Sequence, residues 1–238
     1  MLLVDEWTRL TRPSTTKTRK HLNTKTLIFN FQHFIINMKN IQAAFAAFLV
    51  LGSLIGLSFV SSVADNYNVD TSASIVNWKA YKVTGQHNGS VNLKSGAFQF
   101  TDGKLTGGSF DIDVTTIKVL DLQGDMAGKL EGHLKSDDFF SAAKNPTSTF
   151  VITKVASRGT PGNYRVAGNL TIKGITKEVK FDATVNVVDG KATGEAFIKI
   201  DRTDFDIQYR SGNFFENLGD KTIYDEFDLT VVISAAKA

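Results

Sequence analysis

From about residue 67 onward the chain alternates apolar and polar side chains, run after run, and that period of two constrains the fold more than any other feature. In 163–173, Tyr164, Val166, Gly168, Leu170 and Ile172 share one face, against Asn163, Arg165, Asn169, Thr171 and Lys173 on the other. In 178–187 the apolar set is Val179, Phe181, Ala183, Val185 and Val187, and the polar set is Glu178, Lys180, Asp182, Thr184 and Asn186. The same rhythm runs through 75–83 around Trp78, 89–93, 97–101, 104–114, 148–157, 192–200 and the stretch from Glu226 to Ile233. Asp102-Gly103 and Asp189-Gly190 tolerate the positive φ that tight hairpins demand, and Asn88-Gly89 is expected to form another turn. Runs joined by two residues must be antiparallel, because parallel neighbours need long crossovers. About nine such runs predict an all-β barrel or sandwich.

Between 121 and 145 the period changes. Leu122, Met126, Leu130 and Leu134 recur every four residues, which predicts a helical insertion. Gly124, Gly128 and Gly132 share that spacing and are expected to let the helix lie close against the sheet. Ser136 with Asp137 and Asp138 reads as the start of a second short helix, ended at Asn145-Pro146.

The N-terminal part reads differently. Met38, Lys39 and Asn40 precede an uncharged stretch from Ala43 to Val60, and Ser62 and Ala64 stand at the −3 and −1 positions of a cut after Ala64. A basic start, an apolar middle and a small-residue exit make residues 38–64 a secretory signal peptide, although the run is also long enough for a retained anchor. Residues 1–37 are then an upstream extension outside the native chain or without order, and 65–238 a single domain, exported to the periplasm or secreted. Residues 1–64 hold seven Lys and Arg against two acidic residues, leaving 20 basic and 22 acidic residues beyond. That balance gives the globular part no electrostatic footprint for nucleic acid. With no cysteine, thiolate catalysis and Cys-based metal sites are excluded.

No catalytic constellation emerges. His87 and His133 lack metal-ligand spacing, and Asp111 with Asp113 has no third ligand nearby. The Asp204–Gln208 segment lacks the Gly and distal Glu of a calcium loop. An outer-membrane barrel would also alternate, but its lipid face would favour larger groups than Gly168, Ala183, Gly194 and Ala196. If that face points inward, its small side chains leave the centre hollow, or Phe110, Phe150, Phe181 and Phe227 fill it; alternation does not choose.

Three segments carry a resemblance. "GKLEGHLKSDDFFSAAKNPTSTFVITKV" (Gly128–Val155), "YRVAGNLTIKGITKEVKFDATV" (Tyr164–Val185) and "IDRTDFDIQY" (Ile200–Tyr209) are similar, in order and spacing, to the motifs of the YceI-like, polyisoprenoid-binding family. The resemblance implies an extended antiparallel lipocalin-like β-barrel of about eight strands. It also implies an exported binding protein that holds a polyisoprenoid or other long-chain lipid for transport, storage or scavenging. Many members place a histidine within the strand equivalent to the first runs here, and "SGNFFENLGDK" (Ser211–Lys221) is an unmatched aromatic insertion. The expected partner is a long-chain isoprenoid or fatty lipid, with no cofactor, no metal, no nucleic acid and no stable membrane span once the signal is removed; a homodimer stays open. Strand parity assigns the cavity lining to Trp78, Phe110, Ile112, Phe150, Ile152, Leu170, Phe181, Ile198 and Phe227. The alternatives are an enzyme acting at the cavity mouth through His87, Asp201 or Tyr209, with Asp201 and Arg202 otherwise a corner whose charges pair near the surface, or a structural β-domain with a filled core.

Overall fold

The computed structural model describes residues 64–238. Nine strands run β1 (Ala64–Val69), β2 (Ile75–Lys82), β3 (Gly85–Thr101), β4 (Lys104–Val119), β5 (Thr147–Ser157), β6 (Asn163–Ile172), β7 (Ile175–Val188), β8 (Lys191–Asp201) and β9 (Ile223–Lys237). Every pairing between them is antiparallel. The β3–β4 pairing closes the sheet on itself. β1 and β2 both lie between β3 and β9, so they act as one interrupted stave and the barrel has the expected eight. The interruption is an Asx turn, in which Asp70 Oδ1 accepts from the Ser72 and Ala73 amides at 3.0 and 3.2 Å.

Tight turns close one end of the barrel. Asp102-Gly103 (φ 51° and 72°) and Asp189-Gly190 (φ 49° and 73°) form the expected hairpins, and Lys173-Gly174 does the same at the opposite end. Asn88-Gly89 does not turn. It lies inside β3, where Gly89 faces Trp78, and the turn falls at Val83-Thr84 instead. A side chain at Gly89 would collide with the Trp78 ring and the Lys118 carbonyl, so the glycine is there for close approach rather than for φ. The separate runs 89–93 and 97–101 merge into β3 through irregular register near Asn92 and Ser95.

The insertion is one helix, α1 (Gly124–Lys135), with no buried residue. Gly128 and Gly132 face open space, so close packing is not their role, and Met126 is 61% exposed. The α1 helix is instead tied to β4 by Glu131, which accepts from the Val119 amide at 3.1 Å and pairs with Lys118 at 3.3 Å. The second helix expected after Ser136 is absent. Residues 137–144 fold as successive turns on the Ser136 and Ser141 carbonyls, with Ser141 at φ 48°. Such turns let Phe139 point inward, which a helix continuing from α1 would not.

The apolar set of the strands faces inward and the charged set outward, opposite to a barrel bathed in lipid. Among the described residues no helix is long and apolar enough to cross a membrane. Residues 1–37 and the expected leader lie outside the described residues, except for Ala64, which opens β1 opposite Thr101.

Candidate functional site: two apolar chambers

The interior holds two voids. An upper chamber of about 120 Å³, toward the Asp102-Gly103 and Asp189-Gly190 turns, is lined by Phe110, Ile112, Phe150, Ile152, Leu170, Phe181, Ala183, Ala196, Ile198 and neighbours. A lower chamber of about 130 Å³, toward α1, is lined by Trp78, Ile112, Leu134, Phe139, Phe140, Leu170, Ile223, Phe227 and others. Val76, Ile112, Leu170 and Leu229 border both and form a waist between them. All nine residues assigned from parity therefore stand on a chamber wall, seven on the upper chamber and Trp78 and Phe227 on the lower.

The small residues on the inner face have two different fates. Phe150 lies over Gly168 and Phe98 over Gly194, so both glycines make room for rings, and Gly194 also borders the upper chamber. Ala183 and Ala196 border empty space. Alternation gave both types the same inward position. Which of them is covered depends on how a ring on another strand turns.

Aromatic clusters stand at both ends. At the turn end Tyr67, Phe100, Phe98 and Phe110 meet edge to face, with centroids 5.0, 6.3 and 5.1 Å apart. At the other end His133 of α1 packs edge-on to Phe139 and Tyr209 at 4.9 and 4.7 Å, and a 3₁₀ turn (Arg202–Phe205) drives Phe205 and Ile207 into the barrel. Each of these two side chains is 1% exposed.

The lower chamber carries the few polar groups of the interior. Ser148 and Arg202 border it. The Trp78 indole N–H is buried there without an acceptor among the described residues. Arg202 was expected to pair near the surface with Asp201. It is instead 4% exposed and donates to the carbonyls of Ile207 (2.6 Å), Ile223 (3.0 Å) and Tyr224 (3.1 Å) and to Asp225 Oδ1 (3.1 Å). Burial pushes the guanidinium's pKa down, against the opposing pull of Asp225 and Asp201.

The suggested polar dyad is not assembled. His87 Nδ1 lies 2.8 Å from Asp121, Asp201 caps the 3₁₀ turn through the Thr203 amide at 2.8 Å, and Tyr209 stacks on His133. Asp111 accepts from Ser95 and Asp113 from Thr115. Among the described residues no group of three or more His, Cys, Asp or Glu is placed to hold a metal ion. Both chambers are walled mainly by apolar side chains.

A polyisoprenoid binding domain from Saccharophagus degradans implicated in plant cell wall breakdown shares the fold, with a TM-score of 0.55 at 15% identity over 72% of this chain and 98% of that one. A UPF0312 protein of Shewanella denitrificans is 33% identical over 143 residues, covering 56% of this chain and 71% of its own. Another, from Photorhabdus laumondii, is 32% identical over 204 residues, covering 79% of this chain and 95% of its own. The YceI-like domain matches residues 67–235, from within β1 to within β9, and the chain belongs to that family.

Proposed function

We propose that this protein binds a long-chain apolar lipid of isoprenoid or fatty type inside the barrel, and that it does so after export, as a carrier, store or scavenger. The observation that carries the reading is the lining: the upper chamber is walled almost wholly by Phe, Ile, Leu, Val and Ala. Such a wall attracts hydrocarbon without directional contacts, at about 25 cal/mol per Å² of apolar area removed from water. One methylene more or less changes affinity by only about 0.8 kcal/mol, so selection by chain length is loose. The polyisoprenoid binding domain that shares the fold supports the same ligand class.

Organic-solvent extraction of the purified protein followed by mass spectrometry tests this. A prenyl or acyl lipid at near-stoichiometric amount is the expected result. Repeated absence of lipid, together with no uptake of N-phenyl-1-naphthylamine, an uncharged apolar fluorophore, overturns it.

A further inference from the structure

The barrel wall is split on one side. β7 and β8 pair from Val188↔Lys191 to Ala183↔Ala196 and no further. Beyond that rung β7 still pairs with β6 back to Ile175, and β8 with β9 on to Asp201. The two strands therefore part company, leaving a slit between residues 176–182 and 197–201. In an antiparallel hairpin alternate residues turn their main-chain groups toward the partner strand. Counted from Val188↔Lys191, those at the slit belong to Glu178, Lys180 and Asp182 on one edge and Phe197 and Lys199 on the other. Neither edge has a strand partner among the described residues. Widening the slit breaks no ladder hydrogen bond, which separates this seam from the paired ones.

The upper chamber meets the outside at the top of this slit. Ala183, Glu195, Ala196 and Val231 border the chamber, and the same four residues border an outer groove of about 570 Å³ with Asn163, Thr184, Phe197 and Thr230. Glu195 belongs to the outward set of β8, so its place on the chamber wall marks a gap. Phe205 packs at the foot of the slit, held there by Lys177–Asp204 at 3.8 Å and by Lys173 Nζ donating to the Asp206 carbonyl at 2.7 Å.

Volume makes an outlet necessary. An apolar void of about 150 Å³ holds one benzene. Chambers of about 120 and 130 Å³ thus enclose only a few carbons each, and the rest of a long chain must lie elsewhere. We propose that the β7–β8 slit is a lateral portal, through which an apolar tail enters the upper chamber while an uncharged polar head stays in the outer groove. The proposal rests on the lipid-binding reading above. The head is uncharged because the groove carries no excess of positive charge among the described residues: Arg158 and the neighbouring Arg165 share the Asp182 carboxylate, at 3.2 and 3.4 Å, and Glu195 adds a second carboxylate that balances them. The Asn163 amide and the Thr184 and Thr230 hydroxyls suit a hydroxyl or carbonyl head.

The chain has no cysteine, so introduced pairs react alone. Asp182→Cys with Phe197→Cys sits on the first unmade rung and zips the slit when oxidised. Asn186→Cys with Thr193→Cys bridges a rung already paired and serves as the control. Uptake is followed by stopped-flow displacement of N-phenyl-1-naphthylamine by geranylgeraniol. The oxidised slit pair should take up the alcohol at least tenfold more slowly, with recovery on reduction and no change in the control. Unchanged uptake by the oxidised slit pair overturns the portal and leaves the lipid-binding reading standing. A parent that binds neither compound overturns both. Geranylgeraniol should also bind at least tenfold more tightly than geranylgeranyl diphosphate, and the reverse order overturns the uncharged head. Should the bridge fail to form, amide exchange decides: Lys180, Asp182 and Lys199 should exchange fast in the free protein and slow with geranylgeraniol, and no slowing overturns the portal.

Discussion

Arg202 shows how much one side chain can hold. Its guanidinium gathers three carbonyls and Asp225 into one buried fork, fastening the 3₁₀ turn and the start of β9 to the loop between them. Arg202→Met should cost about 3–5 kcal/mol, because it leaves Asp225 and three carbonyls without a donor in a buried place. Arg202→Lys should recover little, since a point charge cannot reproduce the fork. Urea unfolding of both variants checks this, and a loss under about 1 kcal/mol would contradict it. In the sequence Arg202 reads as one basic residue beside Asp201. Its four acceptors come from residues 207, 223, 224 and 225, and chain proximity does not reveal that meeting.

Among the elements, β6, β7 and β9 were legible because alternation is a local property and each has one buried face. The β3 strand was not, since its irregular register near Asn92 breaks the alternation on which the reading depends. Neither was the segment after α1, where Ser and Asp signal a helix start and a chain of turns equally well. Cross-strand ties were invisible too. Asp228 of β9 accepts from Tyr81 of β2 at 2.6 Å and from Lys199 of β8 at 2.9 Å, stitching three staves together. Burial pushes the Asp228 carboxyl up, but the Tyr81 and Lys199 hydrogen bonds and the lysine charge outweigh it and hold the pKa below the usual range. A carboxylate depressed in the folded state stabilises above its unfolded value, near 4, and that stabilisation is lost as pH falls through the lower folded value. Asp228→Asn should therefore lose roughly 1.5–3 kcal/mol at pH 7 and show a shallower acid dependence than the parent below pH ~4. Urea titrations at neutral and acid pH measure both, and parallel acid curves would contradict the assignment.

For the whole molecule the question is whether the centre is hollow where Ala183 stands. The chamber beside it predicts that Ala183→Trp costs less than about 1 kcal/mol, against the roughly 1–3 kcal/mol of an overpacked solid core. The same variant should lower uptake of N-phenyl-1-naphthylamine at least tenfold, because the indole occupies the upper chamber. Melting temperature and fluorophore binding, taken together, separate the cases. A large stability loss with uptake unchanged would place the side chain in a solid wall.

The sequence by itself determined what is periodic and local: strands with one apolar face, hairpins at Asp102-Gly103 and Asp189-Gly190, a helical insertion, and the set of side chains that face inward. Tertiary structure alone decided what depends on side chains from distant strands meeting. Phe150 covers Gly168 and Phe98 lies over Gly194, while Ala183 and Ala196 stand beside the upper chamber. The parting of β7 from β8 is of the same kind. Each strand keeps its alternation on both sides of the last shared rung, so the pattern along the chain carries no mark of where pairing stops. Period two reports which way a side chain points; whether a neighbour stands there is a property of the closed sheet.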